Sequence, residues 1–522
     1  MTTRQTAQPG RVSGRWLALG GISLGILAVG LDITVLSLAL PTLATAFGAS
    51  ESQLQWFVTA YTLALTAAML PAGLVGDRLG RKRTMLAALV VFGVASAACA
   101  LAPNPAVFIA ARIVLGGAGA AMVVMALSIL TVLFDEAERP RAVGIWGAAN
   151  FLALPLGPII GGWMLANFWW GWVFLVNVPV VLLGILAVSA LVPESRSASR
   201  PAIDWWGVVG SSAGLALFMY GIIEAGRLGW GDQGTVGPLV AGVLVIAAFV
   251  AWELRLASTG RAPLVDLSLF RSRSFTGGVV LAAVGIFGLS GLLFAMPQLW
   301  QGVQGLDAQG AGFRLLPVIA GMVVAAVLAD RVAGRIGARL NVTIGLVLLT
   351  AGLGIGSTIA VDTGDAAIAG WMFLAGLGSG LVIATAASAA MVELDAEHSG
   401  VGAALVQAVI KLGPAFGAAV LGSVMNDAYR SGVPVTGLPA DVAAAVQSSV
   451  FAGLAVAEKV GSAALAQAVR VSFVDALGDA LRIGGVIALA GVPLALALLP
   501  GRTAARSTGD AQSAHERTIV GA

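Results

Sequence analysis

The chain has 522 residues, 58% of them hydrophobic and 11% charged, with a mean hydropathy of +0.94, whereas a soluble domain carries about 25% charged residues. This balance excludes a water-soluble protein and predicts an all-α integral membrane protein, because apolar runs of about 20 residues, enough to cross roughly 30 Å of hydrocarbon, recur along the whole length. The net charge of +3 comes from Lys and Arg scattered among short loops, which argues for membrane topology and against nucleic acid. The single cysteine, Cys99, leaves no disulfide framework or thiolate metal site within one chain.

Fourteen spans are predicted, near 16–40, 53–75, 84–102, 106–132, 141–167, 172–192, 205–225, 236–256, 276–298, 314–333, 340–361, 366–390, 400–427 and 481–499. The first is too long for a cleaved signal and is expected to stay as a span. Within it, GLDITVLSLALP (Gly30 to Pro41) places Asp32 where a carboxylate is expensive. Such an acid normally faces a cavity and a proton, ion or cationic partner; the alternative is a structural Asp hydrogen-bonded to Thr34 or to a neighbouring helix. After the second span, GLVGDRLGRKR supplies Gly73, Gly76 and Gly80 for close approach and a tight turn, and Asp77 to pair with a cluster that includes Arg78 and Arg81. Arg112 sits early in the fourth span, either snorkelling to the interface or facing the same cavity as Asp32. In the fifth span Gly144 and GPIIGG (Gly157, Pro158, Gly161, Gly162) make a smooth groove for a partner helix, with Pro158 bending it.

Other stretches close off alternatives. GSSAG (Gly210 to Gly214) has the spacing of a nucleophile elbow, but it lies inside the seventh span, and the histidines, His398 and His515, fall in a loop and the tail. Small-residue packing is the reading there. The sequence contains no phosphate loop and no metal constellation, so neither ATP binding nor a cofactor is expected. AGRIGARL (Ala333 to Leu340), after the tenth span, is a worn copy of the loop after the second, as two homologous bundles would produce. Residues 428–480 form one long loop whose two Ala/Val-rich stretches predict an external helical hairpin lying on the bilayer surface. The tail after Pro500 is polar. With both termini cytoplasmic, most basic loop residues fall on the cytoplasmic side, which orients the chain by the positive-inside rule.

The G-x-x-x-D-R-x-G-R-K spacing at Gly73 to Lys82 resembles the loop 2–3 signature of the major facilitator superfamily. LDITVLSLALP, RIVLGGAGAA (Arg112 to Ala121), GPIIGG and WGWVFLVNVP (Trp170 to Pro179) narrow the likeness to the fourteen-helix drug:proton antiporter-2 family. The resemblance implies two six-helix bundles, residues 16–192 and 276–499, with a linker at 193–275 that carries two transmembrane helices, and tails at 1–15 and 500–522. It also implies a monomeric, proton-coupled antiporter in the cell membrane that exports small hydrophobic drugs, antibiotics or metabolites. A lipid or lipid-precursor transporter is the alternative, and a non-transporting receptor or scaffold a more distant one. Asp32 and Arg112 would couple protons. Asp32, Trp56, Thr59, Asn150, Gln407 and Lys411 would line the cavity, with Met122, Met125 and Phe151 as further candidates. Gly73, Asp77, Arg78, Gly80 and Arg81 would form the conformational switch, and the fifth-span glycines the antiporter groove, weakened by Ala153 where the family has another glycine.

Two positions depart from the quaternary-ammonium exporters of that family: Thr59 replaces an acid in the second span, and Val406 and Gln407 replace adjacent acids in the thirteenth, with Lys411 one turn later. A dication is therefore a poorer fit as cargo. Lys411 is expected to share the cavity's electrostatics with Asp32, or else to face a watery crevice without a role in selectivity.

Overall fold

The computed structural model describes residues 9–49, 51–135, 138–196, 204–259, 263–392 and 399–500, and these contain helices and no strand. The first half holds α1 (Pro9–Phe47), α2 (Glu51–Ala67), α3 (Met69–Leu79), α4 (Arg81–Ala100), α5 (Pro105–Leu133), α6 (Arg139–Asn167), the one-turn α7 (Trp172–Leu175) and α8 (Asn177–Leu191). A helical pair follows, α9 (Trp205–Leu228) and α10 (Gln233–Ser258). The second half holds α11 (Arg273–Gln298), the short α12 (Ala308–Phe313), α13 (Leu316–Ile336), α14 (Ala338–Gly356), α15 (Asp365–Val392), α16 (Ser399–Gly432), α17 (Ala440–Ser448), α18 (Val450–Val460) and α19 (Ala463–Leu498).

Twelve helices among the described residues are long and apolar enough to cross a membrane, and α2 with α3, bent by 46°, makes thirteen. The expected count of fourteen is not reached on that measure. The helix outside it is α6, which has 29 residues but includes side chains outside the described set. The bend between α2 and α3 has a local cause. Pro71 cannot donate to the carbonyl four residues back, and the Ala67 carbonyl instead accepts from Ser212 Oγ of α9 at 2.8 Å. The serine of the elbow-like GSSAG thus closes a helix break.

One contiguous apolar core joins the halves: it runs from Leu70 and Leu74 of α3 and Met122 of α5 to Ala386 and Met391 of α15 and Ala403, Ala404 and Val406 of α16. Helices α3 and α5 pack on α16, and α6 packs on α13 and α15. The pair α9–α10 leans on α2, α3 and α16.

The long loop differs from expectation. Its second Ala/Val-rich stretch does not lie along a surface as a separate limb; it continues into the last span as the single 36-residue α19. Phe473 and Val474 of that extension pack in one core with Tyr429 of α16, Val446 of α17 and Val450 of α18. Tyr429 donates its hydroxyl to the Val446 carbonyl at 2.9 Å. Along this helix Asp475 and Arg482 are exposed and Asp479 is half-buried, and Arg482 bonds Asp479 three residues away at 2.8 Å.

Candidate functional site

Asp32 on α1 and Arg112 on α5, 80 residues apart in sequence, form an ion pair through Oδ2 and a terminal guanidinium nitrogen, and the residues are 2% and 1% exposed. Helix α2 completes the site. Phe57 and Tyr61, four residues apart and therefore on one helix face, hold the guanidinium from the other side: Arg112 Nε donates to the Phe57 carbonyl at 2.9 Å, and the Tyr61 ring lies 4.5 Å below the charge. The Tyr61 hydroxyl donates to the Val29 carbonyl of α1 at 3.3 Å, tying α2 to the turn before Asp32. The glycines of RIVLGGAGAA permit this approach, since a Cβ on Gly116 would sit 2.4 Å from the Tyr61 carbonyl oxygen.

A buried ion pair is tolerable when its remaining lone pairs are satisfied. Here Asp32 Oδ1 has no hydrogen-bond partner among the described residues. The site thus offers one oxygen bound to a fixed cation and one open acceptor on the same carboxylate, an arrangement with room for a proton.

The fifth-span groove is filled by the helix that carries Asp32. A Cβ on Gly157 would lie 1.9 Å from Thr34 Oγ1, and one on Gly161 would lie 2.9 Å from a Val35 methyl. The Thr34 hydroxyl reaches the carbonyls of Ala153 on α6 at 3.1 Å, Leu31 at 3.2 Å and Gly30 at 3.3 Å. It therefore bridges α1 to α6 and does not cap Asp32, whose bond runs instead to Arg112 of the neighbouring α5. Gly144 faces the other half, where an added Cβ would be 3.1 Å from the Ala326 carbonyl oxygen of α13. Gly162 is half-buried; the side chains of Pro158, Asn150 and Phe151 lie outside the described residues.

At the loop between α3 and α4, Asp77 and Arg81 are both buried and joined by Arg81 N–H bonds of 2.7 and 3.1 Å to one carboxylate oxygen. Gly73 and Gly76 are buried in α3, and Arg78 is half-buried. Gly80 has φ +114°, a conformation that favours glycine, and ends α3 while beginning α4. Gly337 repeats this at the worn copy, with φ +90° between α13 and α14. Glu194, just after α8, accepts from the backbone N–H groups of Lys82 and Arg83 at 3.2 and 3.3 Å. It satisfies the open donors at the start of α4.

The Major Facilitator Superfamily profile matches residues 22–418. The chain belongs to the major facilitator superfamily. It is 32% identical over 495 residues to the tetracenomycin C resistance and export protein of Streptomyces glaucescens, covering 92% of this chain and 91% of that protein. The multidrug efflux pump LfrA of Mycolicibacterium smegmatis is 31% identical, with 91% and 94% covered. The methyl viologen resistance protein SmvA of Salmonella typhimurium is 32% identical, with 84% and 88% covered. The solved proton:xylose symporter XylE superposes with a TM-score of 0.61 at 16% identity over 94% of this chain and 97% of its own, which is a likeness of fold.

In this facilitator, the residues expected around the cavity have the following surroundings. Trp56 stacks on Tyr220 of α9, rings 6.3 Å apart and 15° from parallel, so it packs against the inserted pair. Thr59 is buried on the far side of α2 from Phe57 and Tyr61. Met122 and Met125 are fully buried, against the positions of Gly25 and Gly76, and fill helix contacts. Gln407 is buried and Lys411 half-buried one turn later on α16. The partner expected for Lys411 is already taken: Asp32 bonds Arg112, and among the described residues no ion pair or hydrogen bond of Lys411 is found.

Sequence reasoning missed Phe57, Tyr61 and Glu194. The first two were signalled by their four-residue spacing in WFVTAYTL; Glu194 carried no sequence signal, because its contacts span more than 110 residues.

Proposed function

We propose that this facilitator is a proton-coupled antiporter that exports small, largely apolar molecules by alternating access, with both termini cytoplasmic and the α9–α10 pair inserted between two six-helix bundles. The observation that carries the reading is the buried Asp32–Arg112 pair with its open Oδ1. While Asp32 is ionised, its attraction to Arg112 holds α1 against α5. A proton arriving on Oδ1 neutralises the carboxylate and leaves the guanidinium to the Phe57 carbonyl and the Tyr61 face. Helix α1 is then held less tightly and shifts against the glycine surface of α6, exchanging the Thr34 bond to the Ala153 carbonyl. Protonation is thereby converted into relative motion of helices. Asp77 and Arg81 act on the same equilibrium from the loop between α3 and α4.

The export of antibiotics and drugs named for the relatives supports this cargo class. Lys411 adds a positive charge on α16 with no acid beside it among the described residues, which favours neutral or anionic cargo over dications. The test is drug-induced proton release from energised everted vesicles. Vesicles containing the protein are expected to release protons when an apolar antibiotic is added, and vesicles lacking it are not. Drug uptake without proton movement would contradict the coupling and leave the transporter fold intact.

A further inference from the structure

Another buried carboxyl group lies on α10, far from Asp32 in sequence. Glu253, in the last turns of α10, is 0% exposed. Its Oε2 accepts from the backbone N–H of Val265 at 3.0 Å. Its Oε1 receives no hydrogen bond from any donor among the described residues. What Oε1 faces is another acid. Asp204 caps α9 through Oδ1, which accepts from Trp206 N–H at 3.1 Å, and its Oδ2 accepts from Trp252 Nε1 at 2.8 Å. Oδ2 and Oε1 converge over Gly207: an added Cβ there would lie 2.4 Å from the first and 2.7 Å from the second. The two carboxyl oxygens thus crowd the same point above α9.

Two carboxylate oxygens are both acceptors, so a contact between them is repulsive unless one carries a proton. Cations do not relieve it among the described residues: neither acid belongs to an ion pair, and Arg255 on the same turn of α10 is exposed. From the 264–266 segment the Val265 N–H bonds Glu253, and Asp266 caps Ser268. We propose that Asp204 and Glu253 form a proton-binding site, one proton shared between the two carboxyls, that fastens the α9–α10 pair to the 264–265 segment leading into the second half of the chain. Leu264 and Val265 lie in the core that joins the halves, so losing the proton loosens the inserted pair from that core. The ligand is a proton, and the site is separate from the coupling pair at Asp32.

The sign follows from where the proton is held. The fastened state binds it and the loosened state does not, so fastening is complete at low pH and lost as pH rises. Hydrogen exchange at the Leu264 and Val265 amides of the purified full chain, expressed as protection to remove the intrinsic pH dependence, reads this directly. In wild type, protection should fall by up to about tenfold per pH unit once the proton leaves. Glu253→Gln can donate to Asp204 and still accept from Val265, so its protection should stay high and become independent of pH. Asp204→Asn should also remove the pH dependence, because Glu253 then shares no proton with a second carboxylate, and it decides the matter if the first variant does not fold. Asp32→Asn should leave the wild-type profile unchanged. A flat wild-type profile, or pH dependence that survives in both variants, would overturn the assignment. So would high-pH protection restored by sodium or calcium, which would make the ligand a metal cation.

Discussion

Asp32 has two oxygens in different surroundings, one bonded to Arg112 and one without a partner among the described residues, and the proposed proton site rests on that difference. Arg112 is held by three groups, Asp32, the Phe57 carbonyl and the Tyr61 ring, so it stays in place when the carboxylate is neutralised. Tyr61 tests this. Tyr61→Phe keeps the ring and removes the 3.3 Å bond to Val29, so transport should fall modestly. Tyr61→Ala also removes a desolvated cation–π contact worth about 2 kcal/mol, and thermal stability and transport should both drop further; equal effects of the two variants would show that the ring contributes nothing. Asp77 acts differently, being enclosed with Arg81. Asp77→Asn should reduce the initial transport rate more than equilibrium drug binding, because it biases the conformational equilibrium and touches no cargo. A large loss of affinity at unchanged rate would count against that role.

At the scale of elements, the contact of α6 with α1 explains why the glycine pattern lies beside the acid. Gly157→Ala would drive a methyl into Thr34 of the helix bearing Asp32, an overpacking that costs about 1–3 kcal/mol. Gly147→Ala is the control on the same helix, since its Cβ meets nothing within 4 Å. The first should lower the melting temperature and abolish export, the second should do neither; matching effects would indicate a helix-propensity change unrelated to the groove. Much of this was legible beforehand. The spans were visible as apolar runs, the loop after α3 as a spacing, and the groove as glycines four apart, because each is local in sequence. The continuity of α19 was hidden because Asp475, Asp479 and Arg482 interrupt its apolar run, although a helix tolerates charges on its exposed side. The pairing of Asp32 with Arg112 was suggested only by resemblance, and that of Asp204 with Glu253 by nothing, since contacts between distant helices leave no mark in spacing.

For the whole molecule, α3 and α5 of the first half pack on α16, which carries Lys411, and on the proposed reading cargo charge is sensed at that seam. Lys411 on α16 should disfavour dications through its unopposed charge. Across matched neutral, monocationic and dicationic compounds, Lys411→Glu should improve dication transport relative to neutral transport, and Lys411→Gln should fall between; an unchanged ranking would remove Lys411 from selectivity. The central claim is that a proton on Asp32 drives the exchange. Reconstituted protein with Asp32→Asn, checked for folding by its melting temperature, should retain drug counterflow down a gradient yet show no proton movement on drug addition and no uphill accumulation under an imposed pH gradient. Wild-type drug/proton exchange by that variant would contradict the account.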